Sequence, residues 1–385
     1  MKYALENIKV IELGGYIVGS LCGSILADMG AEVIKIEPFS GDGLRGQLGA
    51  FQGWNRGTRG MALDLKTRGG KKILHQLVER ADVLIQNLRQ GVAERWEADY
   101  QTLSNMNPLL IYLAMPGYGQ SGPYIKNPAF DPLFQALSGA MYAQGGEEKP
   151  PVYLRSAICD NAGAMLGAWG VAMALYQRKK NGKGQFLHGS LINSAIAVQS
   201  GEFLRYEGKP PDLPHSQRGR DALYALYKTR DGWLFFGCEG EKCWQELCSV
   251  TGNILLSSDS RFSTPKKRRD NDKVLRQVLD DIFVGGTTTE WLNRLEGTNI
   301  LCTKVNSSSM LFDEPHMFSN DFISEHESTD VGKLRQTGLL IKLSETPGRL
   351  WRAAPGLGQY NAEILTELGY NNEQIQRLKE EQVIL

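Results

Sequence analysis

Asp160 is a lone carboxylate at the head of a run of small and apolar residues, "DNAGAMLGAWGVAMAL" at 160–175. Two chemistries suit a carboxylate there. As a helix N-cap it accepts bonds from the first main-chain N–H groups, an arrangement worth about 1 kcal/mol over alanine. As a nucleophile it would be kept ionised by the helix N-terminus, with the remaining N–H groups available to an oxyanion. Ala162, Gly163 and Ala164 leave room for a ligand to approach, but by its local pattern alone Asp160 is expected to be the cap.

Other segments carry weaker signals. "AMPGYGQSGPY" (114–124) is a Pro/Gly loop at the C-terminal end of an expected strand, where open parallel sheets hold ligands. "SGDGLR" (40–45), followed by Lys66, Arg68, Arg89 and Arg95, could supply charge-assisted donors to phosphates or form an ordinary solvated surface. Gly14, Gly15, Gly19 and Gly23 open a helix after a strand, yet their spacing is not G-x-G-x-x-G, and Glu37 is the nearest acid for a ribose. Gly15, Gly19 and Gly23, four residues apart, instead predict a smooth helix face. "FFGCEG" (235–240) reads as a lid or a turn. The six cysteines form no C-x-x-C pair and the five histidines no H-E-x-x-H, so no metal site is expected.

The elements that must position these groups follow from periodicity. "IKVIEL", "EVIKIE", "ADVLIQN", "LLIYLAM" and "GQFLHGSL" read as strands alternating with helices, which predicts an α/β domain with a parallel sheet. The first helix, "IVGSLCGSILADMG", should close at Gly30, and "INSAIAVQSGEFLRYEG" should follow the last strand as a helix. Composition turns to Pro, Gly and charge at 208–221. "YALYKTRDGWLFFGC" then reads as a hairpin turning at Asp231-Gly232, with a helix ending at Gly252 and a capped helix and strand in "TTTEWLNRLEGTNILCTKV". The expected division is a large domain at 1–205, a linker at 206–221, a small α+β domain at 222–325, and a return to the large domain at 326–385.

A chain of 385 residues with 43 basic and 43 acidic side chains has no net field to attract nucleic acid or an anionic membrane. The N-terminus lacks the order of a signal peptide, and no apolar run approaches about 18–20 residues, so a cytoplasmic protein with small-molecule partners is expected, with no nucleic acid and no membrane.

Taken in order, "LADMGAEVIKIEPFSGDGLR" (26–45), "NRGTRGMALDLKTRGG" (55–70), "ADVLIQNLRQGVAERW" (81–96), "FDPLFQALSGAM" (130–141), the Asp160 segment and "TPGRLWRAAPGLGQYNAEILTELGY" (346–370) resemble the class III (CaiB/BaiF-type) CoA-transferases. Their relatives, the alpha-methylacyl-CoA racemases, share these blocks. The resemblance implies a large Rossmann-like domain built from both termini, a small domain between, and two copies interlocked as a homodimer. It implies that Asp160 is the nucleophile, passing CoA from an acyl-CoA donor to a carboxylic acid through an aspartyl anhydride and an aspartyl-CoA thioester. The CoA thioester is then substrate, and no cofactor is held permanently.

Family contacts fall on Lys66 near the adenine, Asn87 and Leu88 along the pantetheine and Arg95 near the phosphates, with Tyr16, Ile17 and Val18 bordering the thioester. Gly237 and Gly240 correspond to a shielding loop, without its run of glycines. Ser20 stands where most members have proline, and Pro38 where some have arginine. Phe130 replaces the histidine that the racemases use beside the aspartate equivalent to Asp131, and racemisation needs two acid/base groups. Transferase is therefore expected over racemase or isomerase, with a non-catalytic CoA-binding protein as the remaining alternative. Arg218 and Arg220, with Arg205 and His215, could meet a second carboxylate on the acceptor.

Overall fold

The computed structural model describes residues 2–145, 149–209, 216–328 and 330–385, and Leu255 for its backbone alone. His215 and part of the expected linker lie outside the described residues. The chain divides into two compact units: residues 1–138, 154–204 and 314–385 in the first, 139–153 and 205–313 in the second.

Short, mostly apolar runs make the six-stranded sheet of the first unit: β1 (Lys9–Glu12), β2 (Glu32–Glu37), β3 (Arg59–Ala62), β4 (Val83–Gln86), β5 (Ile111–Ala114) and β6 (Gln185–His188). All pair in parallel, in the order β3-β2-β1-β4-β5-β6. That is the doubly wound order, with its switch point between β1 and β4. Side chains alternate between two cores as the pleat requires. Ile11, Ile34, Leu84 and Tyr112 face the C-terminal helices Asn361–Glu367 and Asn372–Glu380 through Ile364, Leu365 and Ile375. Val10, Val33, Val83 and Ile111 face Val18, Cys22 and Leu26 of the helix Val18–Asp28, and Ala164, Ala168 and Val171 of the helix Ile158–Asn181.

Departures from the expected elements have local causes. β3, "RGMA", carries too little apolar sequence to be recognised; its Gly60 is packed so that a Cβ would lie 3.0 Å from both the Gly356 carbonyl and Pro355. The helix after β6 ends at Ala197 rather than running to 208. Gly15 precedes the first helix, so only Gly19 and Gly23 lie on its face. Residues 314–325, expected in the small domain, cluster with the first unit, which holds the hairpin β11 (Ile323–Ser328) and β12 (Gly332–Thr337). Arg56 fastens the end of that hairpin, its guanidinium bonding the carbonyls of Thr337 and Gly338 (3.0 Å) and the Asp28 carboxylate (2.7 Å).

The second unit is built on an antiparallel sheet in the order β10-β9-β8-β7, from β7 (Gly219–Asp221), β8 (Tyr224–Lys228), β9 (Trp233–Gly237) and β10 (Leu301–Lys304). Tyr227, Phe236, Phe283 and Trp291 pack ring on ring in its core. The helix Gly240–Thr251 closes on Gly252 at φ +61°, and Thr287 and Glu290 form the capping box of Thr288–Leu295.

Candidate active site

Asp160 is the third residue of its helix. The helix begins at Ile158, its N-cap is Ala157, and no side chain of its own caps it. The expectation of Asp160 as the cap is therefore overturned, because a residue from another helix fills that role. Asp131, opening the helix Asp131–Leu137, accepts through Oδ2 from the main-chain N–H groups of Cys159 (2.7 Å) and Asp160 (3.0 Å). The N–H of Ile158 reaches Ser156 O at 2.8 Å and that of Asn161 reaches Ala157 O at 2.9 Å. The first-turn donors are thus engaged, and the oxyanion site expected beside Asp160 is not formed by them.

Gln135, one turn beyond Asp131, completes the brace. Its amide nitrogen donates to the Asp131 carboxylate and to the carbonyls of Leu154 (3.0 Å) and Ser156 (3.3 Å), while its oxygen accepts from Leu154 N–H at 3.1 Å. Sequence reasoning missed this fully buried side chain; the signal was the i, i+4 pair in "DPLFQ". With 8% of its surface exposed, Asp160 sits where ionisation is costly. Burial first, and the negative charge of Asp131 second, push its carboxyl up to about 7. The neighbouring Cys159 thiol is pushed up to about 12 by burial and by the same two carboxylates, so it is no competing nucleophile at neutral pH.

The small residues after Asp160 serve packing more than access. A Cβ on Gly163 would lie 3.0 Å from Val18, 3.2 Å from Leu191 and 3.2 Å from Ser194 Oγ; one on Gly167 would lie 3.0 Å from Leu113 and 3.3 Å from Cys22. Ala164 is fully buried. The helix crosses the unit at close range because these positions carry no bulk. The same small residues give it the length and composition of a membrane span, contrary to the sequence expectation, although this face is packed inside the unit.

The turn after β1 approaches the same place. Gly15 is clamped by Asn87, whose side chain accepts from its N–H at 2.9 Å and donates to its carbonyl at 2.8 Å. Tyr16 is left-handed at φ +62°, with its N–H bonded to both Asp42 oxygens at 3.1 and 3.3 Å. Its ring meets Phe130 edge to face, centroids 5.3 Å apart. Val18 lies against Gly163, one turn beyond Asp160. Ile17 turns inward onto Leu44, Phe51 and Ala354, which leaves its backbone alone at the turn. The structure thus brings Tyr16, Val18, Phe130, Asp131 and Asp160 together, beside the switch point of the sheet.

A cavity of about 380 Å³ adjoins this turn, lined by Gly14, Gly15, Phe39, Lys66, Leu88 and Trp96 among others. A smaller one, about 100 Å³, lies between Asn87-Leu88 and the loop Pro116–Gln120. Arg95 is exposed and lines neither. Two groups weighed for phosphate and ribose bind each other: Arg45 donates to Glu37 at 2.6 and 2.7 Å.

Gly237, Gly240 and Arg218 belong to the second unit. Gly237 ends β9, packed against Tyr224 and Leu301, and Gly240 starts a helix at φ +83°. Arg218 pairs with Asp280 at 2.9 Å, bonds the Leu226 carbonyl and lies over the Tyr227 ring. Its guanidinium is committed within the unit rather than held for an acceptor. Arg220 pairs with Asp221 and Glu239. Among the described residues no cluster of three His, Cys, Asp or Glu side chains stands close enough to share a metal ion.

The chain is similar to known proteins along nearly its whole length. The family described as CoA-transferase family III matches residues 5–361. Succinyl-CoA–D-citramalate CoA-transferase of Chloroflexus aurantiacus is 28% identical over 99% of this chain and 98% of its own length. The human succinyl-CoA:glutarate CoA-transferase is 30% identical over 97% and 88% respectively. Among solved structures, a CAIB/BAIF family protein from Brucella suis superposes with a TM-score of 0.87 at 26% identity, covering 96% of this chain and all of that one.

Proposed function

The chain belongs to CoA-transferase family III and is an acyl-CoA:carboxylate CoA-transferase, and we propose that Asp160 is the nucleophile through which CoA passes. The carboxylate oxygen attacks the thioester carbonyl carbon, and the carbon–sulfur bond breaks to release CoA thiolate and leave an aspartyl anhydride. The thiolate attacks the aspartyl carbonyl of that anhydride, freeing the donor acid and forming an aspartyl-CoA thioester. The acceptor carboxylate attacks this thioester, releasing thiolate and giving the second anhydride. Thiolate then attacks the acceptor's acyl carbon, which yields the new acyl-CoA and restores Asp160. No proton, water or electron enters the balance, so water must be kept from the anhydrides.

The observation that carries the reading is Asp160 itself: a nearly buried carboxylate with no cation partner among the described residues, its main chain held by Asp131 and its helix packed on Val18 at Gly163. Because the donors around Asp160 are engaged, the oxyanion falls to the helix that starts at Val18, which has no side-chain cap. The cavity with Lys66 and Leu88 takes the nucleotide end of CoA, and Asn87 marks the pantetheine path. Phe130, packed on Tyr16, offers no proton transfer, which favours exchange over racemisation.

The donor in this reading is succinyl-CoA, which both named relatives use by their names. The active form is an interlocked homodimer. Met165, Trp169, Met173 and Tyr176 support this: they form an apolar stripe on the Asp160 helix that is 48 to 64% exposed. Surface of this kind marks an interface, and a second copy is the occupant the family implies.

Succinyl-CoA supplied with hydroxylamine should leave a hydroxamate at Asp160, read by mass spectrometry, and none on Asp160→Ala. Exchange at the wild-type rate by Asp160→Ala would end the reading. A panel of acids with succinyl-CoA identifies the acceptor, and deuterium entering the alpha carbon would favour the isomerase instead.

A further inference from the structure

We propose that the buried ammonium of Lys35 is a positioning residue for the Asp160 reaction: by tying Glu12, Ser20 and Asp42 together it holds the Tyr16 turn against Phe130. The inference rests on Asp160 as nucleophile and deepens that reading.

Lys35 lies on β2 with its side chain fully buried. Its Nζ is 2.8 Å from Glu12 Oε2, 2.9 Å from Ser20 Oγ and 3.0 Å from Asp42 Oδ2. The Gly14 carbonyl, 3.4 Å away, is a fourth acceptor. The three side-chain acceptors come from three segments: the end of β1, the first turn of the helix that starts at Val18, and the loop after β2. Two of them bracket the turn 13–19 in sequence, and the third, Asp42, reaches its middle. Burial alone would strip a lysine of its proton; here Glu12 and Asp42 outweigh burial and keep it charged.

The turn depends on this support. A left-handed non-glycine residue is sterically unfavourable and persists only where its surroundings hold it. At Tyr16 the holding bonds run to Asp42, whose Oδ1 also accepts from Leu44 N–H at 2.8 Å. The turn is pressed onto the cluster so closely that a Cβ on Gly14 would lie 2.6 Å from Glu12 Oε1. Without the ammonium, two buried carboxylates would face each other with no cation between. Asp42 would move, and Tyr16 and Val18 would leave their places at Phe130 and Gly163. The Lys35 ammonium, fully buried behind the turn, acts through the turn.

The test compares Lys35→Met, Asp42→Asn and Tyr16→Gly. The last keeps the cluster and a backbone that accepts φ +62°, and removes only the ring. Each is checked for folding by thermal melting, then assayed for Asp160 hydroxamate formation from succinyl-CoA and, by calorimetry, for binding of free CoA. The expected result is a fall in the acylation rate of about tenfold or more, with CoA affinity changed less than about threefold, so kcat falls more than KM rises. Wild-type acylation in a folded Lys35→Met or Asp42→Asn, or equal losses of acylation and CoA binding, would overturn the proposal. Should Lys35→Met fail to fold, the near-isosteric Asp42→Asn and the ring deletion decide it. If the wild-type protein forms no Asp160 hydroxamate, the nucleophile reading fails; if it does and the variants match it, only this inference fails.

Discussion

Oδ2 of Asp131 accepts the main-chain N–H of Asp160 at 3.0 Å, so the carboxylate that fixes the start of the Asp160 helix also lies close enough to repel the Asp160 charge. One contact therefore sets both position and proton affinity. Exchange needs ionised Asp160, so the rate of the free enzyme should rise as pH climbs through about 7. Asp131→Asn keeps an acceptor oxygen and removes the charge. The rising limb of its pH–rate profile should move to lower pH, whereas Asp131→Ala should leave two N–H groups without their acceptor and cost about 1–3 kcal/mol in urea unfolding.

Asp160→Asn should lose exchange by about a thousandfold or more and yet be the more stable protein at alkaline pH. The folded carboxyl is raised to about 7, whereas the unfolded value is about 3.9. Its contribution to stability is thus fully present below the unfolded value and lost as pH rises through the folded one. Unfolding at pH 8 should favour the asparagine variant by on the order of 1–3 kcal/mol, with the gap closing toward pH 4.

Gly163→Val should destabilise by about 1–3 kcal/mol through overpacking, since even a first carbon there meets Val18 at 3.0 Å. Its exchange rate should fall too, because Val18 belongs to the turn at Asp160. Gly53, in a helix with open space at its Cβ, is the control: Gly53→Ala should stabilise by about 0.5–1 kcal/mol. Thermal melts of the pair separate crowding from propensity.

Lys66→Ala should weaken CoA binding several-fold by calorimetry, with less effect on a pantetheine thioester that lacks the nucleotide. Arg95→Ala should change it less than twofold, because Arg95 stands outside the cavity that Lys66 lines.

Arg218→Ala should lower the unfolding temperature and leave the KM of every acceptor acid unchanged, because its guanidinium is already engaged by Asp280 and the Leu226 carbonyl. A rise in KM confined to dicarboxylic acceptors would contradict this placement.

The sequence by itself determined the elements whose residues act locally. Alternating pairs such as Val10-Ile11 and Val33-Ile34 announce strands buried on both faces, and Thr287/Glu290 and Gly252 mark helix ends, because periodicity and capping are properties of adjacent residues. Ordered blocks along nearly the whole chain carried the family and singled out Asp160. Only the tertiary structure decided what surrounds that carboxylate. Its cap is Asp131, 29 positions away; Gln135 braces the segment before it; and Lys35 reaches the turn opposite through Asp42. Such contacts join residues distant in the chain, and their partners leave no periodic trace. For the same reason Arg218, which reads from sequence as a candidate for the acceptor's second carboxylate, turns out to be paired with Asp280, 62 positions further on.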